Sequence, residues 1–254
     1  MNLSASERAY WIALHEIDGL GPKRLPILIK YFGSAEATWK ASVEELKATG
    51  LSLDLAGAVV KQRSRVDPQL HIRTLARLGV RAITIQDEDY PQSLKTITGA
   101  PVILFVKGEI KSADERAMAI VGTRKPTPYG REVTEKLATE LVGYGFTIVS
   151  GLARGIDGVA HRAALNAGGR TIAVMATGID QVYPYEHREL ADKIVRQGAV
   201  ISELAPGKIA VPGNFPARNR IISGLSMGVI VVEGTSKSGT KITASHALEQ
   251  GREV

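Results

Sequence analysis

"FTIVSGLARGIDGVAHRAALNAGGRTIAVMA", Phe146 to Ala176, contains two β-branched apolar runs separated by a glycine-rich turn and a stretch with helical spacing. The runs FTIVSG and RTIAVMA are as short as strands and lack polar alternation, the pattern of a strand covered on both faces. Ile156 to Ala167 is long enough for the helix between them. Strand, helix and strand within about 30 residues make a βαβ unit with parallel strands.

The alternation continues on both sides. Upstream lie the strand AMAIVG and a helix from Pro128 to Tyr144. Downstream come a helix from Glu186 to Gln197, the strand AVISE, a loop, a helix from Arg218 to Leu225, the strand GVIVVEG and a helix from Thr240 to Gln250. This order predicts an α/β fold with a Rossmann-like, doubly wound, mostly parallel sheet. Before it, RAITI and PVILFV, bounded by DEDYPQS and KGE, predict two strands leading into the domain. The chain stops at GREV, where a further strand would begin, so the natural protein is expected to continue.

From Met1 to about Val66 the spacing is helical: Tyr10, Leu14 and Ile17, then Leu25, Leu28, Ile29 and Phe32, then Leu46, Leu51 and Leu55. The turn DGLGPKR, Asp18 to Arg24, places glycines at 19 and 21 between two helices, with Pro22 suited to a first helical turn. It resembles the turn of helix-hairpin-helix modules, whose amides meet a DNA phosphate; a plain packing hairpin is the alternative. The expected domains are a small helical one over residues 1–70 and an extended Rossmann-like one over 71–254.

With 32 Lys and Arg against 26 Asp and Glu, the chain carries a formal charge of +6, which favours an anionic partner without selecting one. There is no cysteine, which excludes disulfides, thiolate zinc sites and cysteine nucleophiles and fits a reducing compartment. No apolar run approaches the roughly 18 residues of a membrane span, and Glu7 and Arg8 interrupt any signal-peptide core. A cytoplasmic protein with no membrane partner is expected.

Open α/β sheets bind ligands beyond the carboxyl ends of their strands. The first such end, VGTRKPTPYG (121–130), offers glycine backbone, the Thr123 hydroxyl and the cations Arg124 and Lys125. It is not a dinucleotide fingerprint, because Arg124 and Thr127 stand where the second and third glycines belong. No Walker loop occurs either. The second end, SGLARGIDGVAH (150–161), sets glycines 151, 155 and 158 around Arg154, with Asp157 a capping candidate for the helix. Asp157 and His161 share a helix face, and a cap plus a hydrogen-bonded histidine is expected there rather than a metal pair. ATGIDQVYP after the third strand reads as an ordinary packing loop.

After the fourth comes PGNFPARNR (212–220), in a stretch without a carboxylate from Leu204 to Val232. Asn219 and Arg220 are expected to open a helix with Arg218 at its mouth, and Phe215 to stand in a proline-stiffened loop. A ring held among guanidinium groups suits stacking on an unpaired base beside bound phosphates; the alternative is a ring turned into the core. The last end, EGTSKSGTK (233–241), adds hydroxyls with Lys237 and Lys241. None of these ends pairs a nucleophile with a base in a recognisable pattern, and the G-x-S-x-G elbow is missing.

IVGTRKPTPYG, VSGLARGIDGVAH, GGRTIAV, GNFPARNRIISGLS and KSGTKITASHALEQGREV occur in that order from Ala117 to Val254. Together they resemble the DNA-processing protein A family, also called DprA or Smf. The resemblance implies a Rossmann-like domain that binds single-stranded DNA with little sequence preference. It also implies a homodimer that protects incoming strands and hands them to the RecA recombinase in natural transformation. Carried onto this chain, Arg124 would grip a phosphate, the Gly151 and Gly155 region would supply amides, and Phe215 would stack a base. Thr123 stands where the family often has serine, and many members continue into a winged-helix-like module. The candidate DNA-binding residues are Gly122, Thr123, Arg124, Lys125, Ser150, Gly151, Arg154, Gly155, Asp157, Lys208, Asn214, Phe215, Arg218, Asn219, Arg220 and Lys237. No catalytic residue, cofactor or metal is expected. The competing possibility is a nucleotide-binding or nucleotide-cleaving enzyme like the lysine-decarboxylase-like phosphoribohydrolases. Their P-G-G-x-G-T-x-x-E loop has only VEGTSKSGTK as a counterpart, without the double glycine or the glutamate.

Overall fold

The computed structural model describes residues 3–234 and 239–254. Two compact units are present, one of residues 1–90 with 101–104 and one of residues 91–100 with 105–254.

The first unit is built from α1 (Ala5–His15), α2 (Arg24–Phe32), α3 (Ala35–Lys40), α4 (Val43–Ala48), α5 (Leu53–Arg63), α6 (Pro68–Leu78) and the strand β1 (Arg81–Thr84). Side-chain caps from Ser4, Ser34, Ser42, Ser52 and Asp67 start five of these helices, each satisfying an amide that the helix itself cannot. Trp11, Leu14, Leu25, Leu28 and Leu46 fill the core. Helix α6, which lies beyond the helical stretch expected from the sequence, packs on α1 and leads into β1. Arg8 pairs with the buried Asp87, Nη2 to Oδ1 at 2.9 Å, and Asp87 also accepts the Thr84 amide, which fixes the end of β1.

In the second unit, α7 (Gln92–Lys95) is followed by β2 (Ile103–Gly108), whose first two residues belong to the first unit, beside β1. There follow β3 (Ala117–Gly122), α8 (Pro128–Gly143), β4 (Thr147–Ser150), α9 (Ile156–Asn166), β5 (Thr171–Met175), α10 (Arg188–Gln197), β6 (Ala199–Ser202), α11 (Asn214–Gly224), β7 (Gly228–Val232) and α12 (Gly239–Glu249). The strand order is β2-β6-β5-β4-β3-β7. β2 is antiparallel to β6, and the other neighbours are parallel. This is the mixed α/β, mostly parallel sheet that the apolar runs predicted. Ile120, Ile148, Ile156 and Val232 form the core between the sheet and α8 and α9, while α11 and α12 pack on each other and on β5 and β7. At the end of the chain the Val229 amide donates to the Glu253 carbonyl at 2.8 Å, a parallel bridge beside β7.

One helix starts earlier than expected. α11 begins at Asn214, not at Arg218, and so takes in both Phe215 and Pro216. Pro216 is tolerated because the first turn has no carbonyl for its missing N–H to reach.

Candidate nucleic-acid interface

The crossovers from β3 to β6 step one way across the sheet, and the chain then returns to place β7 on the other side of β3. Loops leaving β3 and β7 therefore diverge and open a crevice at the carboxyl ends of the strands. A cleft of about 470 Å³ lies there. Its walls are Gly122, Thr123 and Arg124 after β3, Ala153 and Asp157 after β4, Phe215, Arg218 and Asn219 on α11, and Gly239, Thr240 and Thr243 on α12. A second hollow of about 30 Å³ shares Arg124, Ala153 and Phe215 with it and adds Gly151, Arg154, Thr177, Tyr183 and Pro184.

The wall after β3 is backbone laid on backbone. The Thr123 amide donates to the Val232 carbonyl at 3.3 Å, and the Thr123 carbonyl accepts from the Ile156 amide at 3.2 Å. Gly155 sits at φ +77°, directly against the Thr123–Arg124 peptide, where a Cβ would come within 2.8 Å of the Arg124 Cα. Thr127 caps α8 through the Gly130 amide, and Glu233, just past β7, accepts from the Thr127 amide at 2.9 Å, tying the two strand ends together. The Thr127 bonds hold the Glu233 carboxyl below its usual range.

The loop after β4 is held from inside the protein. Asp157 Oδ2 accepts from the amides of Gly151 at 3.1 Å and Ala153 at 3.3 Å. Asp157 therefore braces the preceding loop instead of capping the first turn of α9, whose N-cap is Gly155. The Gly151 N–H, expected to face a ligand, is committed to this bond. Leu152, buried, lies in the left-handed region at φ +57°, and its carbonyl accepts from His187 Nδ1 at 2.9 Å. Such a backbone persists only where neighbours over-determine it.

Arg218 is buried and does not stand at a helix mouth. Its Nη1 donates to the Gly151 carbonyl at 2.6 Å and to the Val174 carbonyl, and its Nε donates to Asn219 Oδ1 at 3.2 Å. Burial lowers its pKa to about 10, against the pull of Asp157, so it remains charged at neutral pH. Burial pushes the Asp157 carboxyl up, and the Arg218 charge and the loop amides oppose the shift. His161 is buried, with Nδ1 2.7 Å from Thr171 Oγ1, whose own hydrogen goes to the Ile148 carbonyl; the histidine is therefore the donor. Burial, with the charges of His187, Arg162 and Arg218 nearby, drops its pKa to about 3. Asp157 and His161 are thus each engaged apart from one another.

The exposed rim carries further cations. Arg124 is exposed, its guanidinium carbon 5.7 Å from the centroid of the half-buried Phe215 ring. That is the distance of a cation–π contact. Phe215 is neither in a loop nor turned into the core. Lys125 is exposed beside Arg124, with its amide on Thr123 Oγ1 at 3.2 Å. Arg154 is 60 % exposed and grips Glu186 with two bonds, 2.5 and 2.7 Å.

The remaining candidates are committed to partners within the protein or stand outside the cleft. Ser150 is buried and donates to the Ile120 carbonyl at 2.6 Å. Asn219 ties α11 to the start of α12 through the Gly239 carbonyl at 3.3 Å. Arg220 binds Glu203 at 2.7 and 2.8 Å and the Gly99 carbonyl at 2.9 Å. Asn214 opens α11, and Lys208 is exposed but lines neither hollow. Lys237 lies outside the described residues. The sequence reading passed over Tyr183, half exposed, whose ring meets Phe215 edge-on at 5.8 Å and 68°. It also passed over Glu186, Thr240 and Thr243. The adjacent Tyr183 and Pro184 were the available sign of a shaped rim, as a ring beside a proline.

Comparison with known proteins places these features. The model of the DNA recombination-mediator protein A family matches residues 81–254. The Smf protein of Synechocystis is 40% identical over 99% of this chain and 65% of its own length. The DNA processing protein DprA of Bacillus subtilis is 49% identical over 69% of this chain and 60% of its own length. The chain thus spans 60–65% of the length of these two relatives. The X-ray structure of DprA from Streptococcus pneumoniae superposes with a TM-score of 0.83 at 34% identity, over 99% of this chain and 86% of that one. DprA from Helicobacter pylori, solved for its single-stranded DNA binding mode, gives 0.62 at 32% identity over 68% of this chain and 78% of that one.

Proposed function

We propose, from the premise that this chain belongs to the DNA recombination-mediator protein A family of DprA and Smf proteins, that the cleft at the β3–β7 switch point binds single-stranded DNA. One observation carries the proposal: Arg124 lies over Phe215 at the mouth of the cleft, and Phe215 meets Tyr183 edge-on. A ring kept half-exposed under a guanidinium offers an unpaired base a stacking surface and the adjoining phosphate a charge. Lys125 extends the positive rim, whereas the Arg154 charge is met by Glu186. Contacts of this kind ignore base identity.

The buried groups support binding over bond breaking. Ser150, Asp157 and Arg218 direct their polar atoms at backbone partners inside the protein, so the surface left to a ligand is donors, hydroxyls and rings. The proposal extends to a non-enzymatic, cytoplasmic homodimer that protects strands and passes them to the RecA recombinase in transformation. These finer points rest on the family resemblance. Among the described residues no helix is long and apolar enough to cross a membrane.

Mobility shifts with single strands, duplexes and mononucleotides at several salt concentrations test the central claim. Single strands should bind tightly and mononucleotides should barely compete. Arg124→Ala should weaken all single strands alike and reduce the salt slope by about 0.7. Failure to bind oligonucleotides at low ionic strength, or easy displacement by a mononucleotide, sinks the proposal. A RecA filament assay on coated strands tests the handover.

A further inference from the structure

The first unit carries a surface that the cleft proposal leaves unused. Helix α2 buries Leu25, Leu28 and Ile29 and turns Arg24, Ile27, Lys30 and Tyr31 outward, with Lys23 exposed at its N-cap. Ile27 and Tyr31 are 63% and 61% exposed, a high value for large apolar side chains side by side on one face. The ring of Phe32 lies edge-on to Tyr31 at 4.9 Å. α2 contains no acidic residue, and among the described residues none of Lys23, Arg24 and Lys30 is in an ion pair.

The turn that precedes α2 is firmly held. Leu20 is fully buried, Gly19 sits at φ +89° against the Leu55 side chain, and Arg24 Nη1 closes the turn on the Gly19 carbonyl at 2.9 Å. The turn is thus fixed by packing and a hydrogen bond, and three cations follow it over two helical turns, about 10 Å.

We propose that this face is a docking surface for duplex DNA, with Lys23, Arg24 and Lys30 on phosphates and Ile27 and Tyr31 against deoxyribose. Charge complementarity selects the partner. Cations of one sign, without a carboxylate between them or a pocket around them, fix no side-chain register, so they suit a uniform line of phosphates better than an acidic peptide. Single strands are taken up in grooves that line a base path with several rings, whereas the outward face of α2 presents the exposed Tyr31 ring with Phe32 half-buried beside it. The proposal stands independently of the cleft, because it concerns other residues and another form of DNA.

The test uses the full chain and fluorescence anisotropy on a short blunt duplex and on a single strand of equal length. Lys23→Glu with Lys30→Glu is the first variant, since neither side chain has an ion-pair or hydrogen-bond partner among the described residues; Tyr31→Ala is the second, which leaves the charge unchanged. The charge variant should lose duplex affinity about tenfold or more and flatten the duplex salt slope by about 2, with single-strand affinity unchanged. Tyr31→Ala should weaken the duplex only. Arg124→Ala should do the reverse of both. The proposal is overturned if the parent ignores duplexes at low salt, if the charge variant binds them as the parent does, or if Arg124→Ala removes both activities together. An acidic protein as the true partner gives the second of these outcomes.

Discussion

At the scale of single residues, two arginines on one cleft have opposite tasks. Arg124 keeps its charge in solvent above a ring, and Arg218 spends its charge inside, on two carbonyls and a neighbouring carboxylate. Arg218→Ala removes the counter-charge of a fully buried Asp157 and should cost about 3–5 kcal/mol of folding stability, read by urea denaturation. Phe215→Ala should leave the denaturation midpoint nearly in place and cost about 1–3 kcal/mol of single-strand affinity. A variant pair with these effects exchanged would mean that the two side chains have been given the wrong roles. His161 adds a pH dependence. Its folded pKa of about 3 lies below the ordinary 6.5, so the unfolded chain takes up a proton first and stability is lost as pH falls from 6.5 towards 3. By pH 5 the loss from this group is about 2 kcal/mol. His161→Asn should flatten stability between pH 7 and pH 5; an unaltered pH profile would show that the proton goes elsewhere.

At the scale of elements, the loops after β3 and β4 act as one piece because Gly155 lets their backbones touch. Gly155→Ala forces a Cβ against the Thr123–Arg124 peptide and holds alanine at positive φ. It should cost at least about 1 kcal/mol of stability and displace Arg124, so single-strand affinity should fall as well. Thermal melts and titrations of this variant would show both changes. The strands were legible from sequence because a two-faced parallel sheet demands unbroken apolar runs. α11 was misread because Pro212 and Pro216 suggest a stiff loop, although a first helical turn tolerates proline. Arg218 was expected outside because arginine so rarely goes inside, and no local pattern announces partners as distant in sequence as Gly151 and Val174. Tyr183 and Glu186 were missed for the same reason: their contacts with Phe215 and Arg154 exist only once β5 has brought its loop beside those of β4 and β6.

At the scale of the whole molecule, most of the net charge of +6 belongs to the second unit, which contains the cleft, while the first unit is nearly neutral. The second unit also contains the loop around Leu152, pinned by Asp157, Arg218 and His187. A receptor whose contact surface is already set surrenders little freedom on capture, so the conformational cost of complex formation falls almost wholly on the flexible polymer. Encounter should then be fast and nearly independent of which oligomer arrives, and the residence time should be what distinguishes a long strand from a short one.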